Sequence, residues 1–224
     1  MRKKVVLVVM AMMLSFCALQ ARAQSVMAGV GYVGASHDRM RDGRSLNGLD
    51  AEISATVDQN GDVLVNARYQ NLGARTDSNF VRDLRYYEVV GNFLIPRLNH
   101  YVIVGVSSMN FSHNQKSNGS DFGSETRSVG PVTGLAGLQK IGDSAVFSYS
   151  GAIHPRAILT EKFSNPDGSS KYSKPASTGY ELRATVMHMI RYRFGYSGGY
   201  YWRRLAPGMT DHGFLMKMNF VVLE

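Results

Sequence analysis

Between residues 49 and 72 the chain encodes a two-faced β-hairpin, and such a unit constrains what the rest can fold into more than any other stretch. In the first arm Leu49, Ala51, Ile53, Ala55 and Val57 alternate with Asp50, Glu52, Ser54 and Thr56. In the second, Val63, Val65, Ala67 and Tyr69 alternate with Leu64, Asn66, Arg68 and Gln70. Successive strand residues point to opposite faces, so each arm has one hydrocarbon face and one mainly polar face. Asp58-Gln59-Asn60-Gly61-Asp62 joins the arms, and Gly61 suits the positive φ of a three-residue bulged loop. The apolar positions are odd-numbered in both arms, so facing numbers must sum to an even value, as Asp58 opposite Asp62 does. That register sets Glu52 opposite Arg68, Asp50 opposite Gln70 and Ser54 opposite Asn66.

The chain begins with the basic Met1-Arg2-Lys3-Lys4, continues with an apolar run over 5–19, and reaches the small-x-small signature Ala21-Arg22-Ala23. Residues 1–23 therefore read as a secretory signal peptide cleaved before Gln24, which leaves 24–224 as one β-barrel domain. The run falls short of the ~20 residues that a spanning helix needs. Net charge over the whole chain is +8, but 1–23 carries Arg2, Lys3, Lys4 and Arg22 and no acid, leaving +4 afterwards. So small an excess does not point to nucleic acid. The single cysteine, Cys17, lies in the leader, so an exported form has no disulfide and relies on packing, assembly or a membrane. Nothing after residue 23 has the length and apolarity of a transmembrane helix, so a spanning form has to be a barrel.

Strands are predicted at 25–36, 48–58, 62–72, 81–95, 99–111, 125–139, 144–160, 178–190, 193–205 and 211–223. Long polar connections, at 37–47, 73–79, 112–124, 162–177 and 206–210, alternate with tight ones at 59–61, 96–98, 141–142 and 191–192. An antiparallel up-and-down transmembrane β-barrel of even strand number has its short turns at one end and its longer loops at the other. About ten strands are expected. Pro131 and Pro155 each remove a ladder donor, so eight follows if two segments are loop. The polar faces nominate Glu52, Arg68, Glu88, Arg156, Glu181, Arg183 and Lys217 as lumen and ion-pair residues. Aromatic residues cluster near strand ends: Phe93, Tyr101, Phe194 and Phe220 on the turn side, and Tyr87, Tyr180, Tyr200, Trp202 and Phe214 on the loop side. Rings at two levels are the pattern of a membrane interface. Phe194 and Trp202 are about 26 Å apart along a strand, or ~19 Å along the normal at 45° tilt, close to the ~25 Å apolar band.

Together, the leader, two-faced strands, alternating connections, aromatic strand ends and apolar final strand resemble the small bacterial outer-membrane β-barrel proteins. The resemblance spans 24–224 and consists of general features, without assigning a family. It implies a Gram-negative cell envelope location, contact with outer-membrane lipid, and lipopolysaccharide contact through the loops, where Asp38-Arg39-Met40-Arg41-Asp42-Gly43-Arg44 is basic. The chain departs from the pattern in ending on Glu224 where such barrels end on an aromatic residue, although Phe220 lies on the expected face.

Residues that could carry chemistry are sparse. Ser112-His113 are sequence neighbours and point to opposite faces of a strand. Ser150 and His154 share a face but lie about 13 Å apart along it. Asp211-His212 is a third pair, and a triad would need partners from other strands. The histidines lack metal-ligand spacing. Gly130, Gly134 and Gly137 lack a nucleotide fingerprint and its helix. No catalytic, metal or cofactor residue is nominated. The leading expectation is a non-enzymatic outer-membrane barrel with a structural, adhesive or small-solute role. The alternatives are a soluble exported barrel or sandwich binding a ligand in its core, and an outer-membrane barrel hydrolase.

Overall fold

The computed structural model describes residues 25–37, 45–77, 80–117, 120–155, 157–165, 168–175, 178–191, 193–206 and 209–223. Twelve strands run in chain order: β1 Ser25–His37, β2 Leu46–Thr56, β3 Val63–Asp77, β4 Phe80–Ile95, β5 His100–Ser117, β6 Ser120–Ile141, β7 Ala145–His154, β8 Ile158–Asn165, β9 Gly168–Pro175, β10 Gly179–Arg191, β11 Phe194–Ala206 and β12 Met209–Leu223. All pairings are antiparallel. Neighbour follows neighbour from β1 to β7, β7 pairs with β10, and β12 returns to β1, so ten strands close a barrel. The remaining two, β8 and β9, form a hairpin hung on the upper half of β6.

The opening hairpin has the register its alternation demands. Glu52 faces Arg68, Asp50 faces Gln70 and Ser54 faces Asn66. In its turn Gly61 has φ 78°, in the left-handed region that favours glycine. The Asp58 carboxylate accepts the backbone N–H of Val63 at 2.8 Å and of Asp62 at 3.1 Å. The turn is thus closed by a side chain as well as by the ladder.

Two features differ from the sequence reading. The segment 144–160 is not one strand: it breaks at Pro155 into β7 and β8, and the supposed loop 162–177 holds most of the β8–β9 hairpin. β6 pairs with β7 from Thr133 to Ile141 and with β8 from Gly123 to Val129, and Pro131 falls between the two. The proline without a donor sits where the adjoining ladder is interrupted. The second difference lies at 73–79 and 112–124, which continue as ladder to Asp77–Phe80 and Ser117–Ser120. A tilted strand needs about 9–11 residues to cross a bilayer, whereas β5 has 18 and β6 has 22. Stretches such as Arg75-Thr76-Asp77 and His113-Asn114-Gln115-Lys116 carry no apolar alternation, while backbone pairing persists through them.

Burial fixes inside and outside. On β12 Phe214 is 71% exposed and Met216 72%, whereas Asp50, Arg203 and Asp211 have no exposed surface. Ile53 is likewise on the outside and Glu52 on the inside. Apolar outside and charged inside is the reverse of a water-soluble barrel and matches a barrel standing in lipid.

Candidate functional site: the barrel lumen

At mid-height the lumen holds a belt of ion pairs. Arg203 lies opposite Asp211 across β11 and β12 and grips it with two nitrogens, at 2.9 and 2.6 Å. The same guanidinium reaches Gln70 at 3.1 Å and lies 3.6 Å from the centre of the Tyr86 ring. Arg68 donates to Asp50 at 3.1 Å and to Glu181, across the lumen, at 3.2 Å. Arg183 holds Glu52 at 2.6 Å; Lys217 also binds Glu52 and lies 3.4 Å from Asp50. Tyr86 places its hydroxyl 2.6 Å from Glu88 and 2.9 Å from Glu181. A buried charge stripped of its partner costs about 3–5 kcal/mol, so the belt resists opening.

Above the belt, on the loop side, the inward positions turn apolar. Leu72, Leu84, Phe111 and Leu205 are buried and pack into one cluster, which reaches down into the belt through Met109, level with Tyr86, and Leu215, between Asp211 and Lys217. His37 stacks on Phe111 with ring centres 4.3 Å apart. Below the belt lies a cavity of about 500 Å³. Val90, Ile103 and Val132 form an apolar patch on one side, while Ser54, Thr185, Ser197 and Asn219 line other walls. It extends to Ser25, Thr56 and Val221, near the strand ends on the turn side. The lumen is therefore a cup, stoppered toward the loops and reaching the turn end.

Of the residues nominated for the lumen, Glu52, Arg68, Glu88, Glu181, Arg183 and Lys217 all border this cavity, and Arg156 lies outside the described residues. Among the aromatics, Phe93, Tyr180, Tyr200, Phe214 and Phe220 are exposed on the outer wall. Tyr87 packs on Tyr69 at 5.0 Å, Phe194 on Phe220 at 5.4 Å, and Trp202 faces the outward Leu182 across the ladder. Tyr101 differs: it borders the cavity, and its hydroxyl donates to the Gly61 carbonyl at 3.2 Å. It shares the inward parity of Ile103 and Ser107, while Val104 and Val106 take the outside. That strand has no polar face from which the sequence could have read its orientation.

Sequence reasoning overlooked the partnership of Arg203 with Asp211. The available signal was parity, since both alternate with outward-facing rings, Trp202 before Arg203 and His212 after Asp211. Of the pairs considered for catalysis, Asp211 points in and His212 points out, where its Nδ1 lies 2.9 Å from the Tyr200 hydroxyl. His113 Nδ1 accepts from Arg82 at 3.3 Å. Ser150 borders the cavity, but His154 turns instead to Ser107, with Oγ to Nδ1 at 3.0 Å, and its Nε2 lies 3.8 Å from Glu181. This serine–histidine–carboxylate row has catalytic composition. Its histidine–carboxylate contact is too long for a hydrogen bond, and Ser107 and His154 are buried away from the cavity wall. Among the described residues no three histidine, cysteine, aspartate or glutamate side chains gather as a metal site.

No family model and no curated protein matches the chain. Among solved structures it is similar to the outer membrane protease OmpT from Escherichia coli, with 11% identity, 89% of this chain and 94% of that one covered, and a TM-score of 0.57. It is also similar to Ail, the attachment invasion locus protein of Yersinia pestis (13% identity, 89% and 99% covered, TM-score 0.42), and to Neisserial surface protein A (11%, 88% and 95%, 0.38). Only the first is near enough in shape to argue from, and at that identity the likeness concerns fold alone. The chain has the fold of a small bacterial outer-membrane β-barrel protein.

Proposed function

We propose that the chain is a non-enzymatic barrel of the bacterial outer membrane, a structural or adhesive protein of the cell envelope that does not conduct solutes. The observation that carries this reading is the stoppered lumen, where an apolar cluster sits on a belt of ion pairs. Ten strands enclose a lumen only a little wider than eight do, so side chains suffice to block it. The apolar outer wall supports contact with lipid, and the ring pairs near both strand ends support an interfacial role for the aromatics. In this orientation the turns face the periplasm and the extended strand pairs face outward, toward lipopolysaccharide. The basic loop at 38–44 lies outside the described residues.

Fractionation, gel mobility and bilayer recording test the reading together. The protein is expected in the outer-membrane fraction, with different mobility in unboiled and boiled samples and no steady conductance. Recovery as a soluble periplasmic protein, or large steady single-channel currents, would overturn it. So would an esterase or peptidase activity that Ser107→Ala abolishes without altering gel mobility.

A further inference from the structure

Among the described residues the charges of the belt do not balance. Among the described residues it holds five carboxylates, Asp50, Glu52, Glu88, Glu181 and Asp211, and four cations, Arg68, Arg183, Arg203 and Lys217. Four of the carboxylates lie within 3.5 Å of one of these cations. Among the described residues the one hydrogen bond to Glu88 comes from the Tyr86 hydroxyl. That hydroxyl has one hydrogen and stands between two carboxylates, Glu88 at 2.6 Å and Glu181 at 2.9 Å, so donors are short here as well as positive charge. The shortage falls at the wall of the cavity, which Glu88 borders. The next inward residue on β4 is Val90, which packs with Ile103 and Val132 as the apolar patch of the same cavity.

We infer that the cavity binds a small organic monocation, an alkyl or aryl ammonium, with its charged end on Glu88 and its hydrocarbon on Val90, Ile103 and Val132. The ammonium supplies the missing charge and the missing N–H donors in one group, and charge-assisted hydrogen bonds of this kind are the stronger class. The hydrocarbon selects an organic cation over a bare ion, and the described residues lack the ligand cluster a metal needs. A volume of about 500 Å³ falls within the range of small-molecule sites, roughly 300–1,000 Å³. The ligand enters from the turn side, because the apolar cluster seals the other. That this side is the periplasm rests on the outer-membrane reading; binding itself does not.

Calorimetric titration of the full barrel in non-ionic detergent, with empty micelles as the blank, tests this using n-hexylammonium, n-hexanol and n-hexanoate. The ammonium is expected to bind saturably, and the alcohol and carboxylate at least about tenfold more weakly. Glu88→Gln keeps an acceptor for Tyr86 and should weaken the ammonium by about tenfold or more while leaving heat-modifiable gel mobility intact. If that variant fails to fold, the ranking of the three probes on the unaltered protein decides. Equal binding of alcohol and ammonium, preference for hexanoate, undiminished ammonium binding by a folded Glu88→Gln barrel, or no saturable heat from any probe overturns the inference. None of these results bears on conductance or on membrane location, so the functional reading stands or falls separately.

Discussion

Glu52 and Arg68 stand directly opposite each other on β2 and β3, and neither closes an ion pair with the other. Glu52 is held by Arg183 of β10 and Lys217 of β12, while Arg68 turns to Asp50, two residues along from Glu52, and to Glu181 of β10. On an open sheet the facing pair is the natural one. Inside a narrow barrel, long side chains meet residues from across the lumen, and the nearest opposite charge need not be the ladder neighbour.

Double-mutant cycles separate the two kinds of neighbour. Coupling between Glu52→Gln and Lys217→Met is expected at roughly 0.5–3 kcal/mol, the range for residues in contact. Coupling between Glu52→Gln and Arg68→Met should be clearly smaller, since no direct bond joins them. Urea unfolding from detergent measures both, and equal couplings would mean that register rather than contact sets the energy.

Arg203 and Asp211 obey the opposite rule, being both ladder neighbours and ion partners with no exposed surface. Arg203→Met should destabilise the barrel by about 3–5 kcal/mol, because it strands a buried carboxylate. Adding Asp211→Asn should recover part of that loss. Equilibrium unfolding reads the difference, and a loss near zero would remove the belt from the forces closing the lumen.

The outer wall makes a depth-dependent prediction. Met216 lies midway along the outward face of β12, between Phe214 near the loop end and Phe220 near the turn end. Met216→Arg should cost about 2–4 kcal/mol in phospholipid vesicles, and Phe220→Arg, four residues nearer the turn-side interface, clearly less. Two substitutions of equal effect would contradict the assignment of that face to lipid.

The first turn carries a pH dependence. Hydrogen bonds from the backbone N–H of Val63, and then of Asp62, hold the Asp58 carboxyl below the ordinary 3.8 of aspartate. A folded value below the unfolded one gives stability that is complete above the unfolded value and disappears as pH falls through the folded value. Asp58→Asn should therefore destabilise the hairpin at pH 6 and make no difference near pH 2. Unfolding of both proteins across that interval checks the sign; a gap that widens in acid would refute it.

Alternation between residues 49 and 72 determined the first hairpin's register and its two faces, because a period of two leaves no freedom once the turn length is known. Strand and turn spacing located the ten barrel strands, with the seventh carried too far past Pro155, and alternation picked out inward charges such as Glu52, Arg68, Glu181, Arg183 and Lys217. Only the tertiary structure decided which face is inside, because a polar face can meet water in a soluble sheet as readily as a lumen. It also decided the β8–β9 hairpin and the extended strand pairs, whose largely polar sequences leave no apolar period to read. The partners of the belt were beyond the sequence for a related reason. Glu181 meets Arg68 across 113 residues of chain, and such a contact exists only once the barrel closes and brings the two walls within reach.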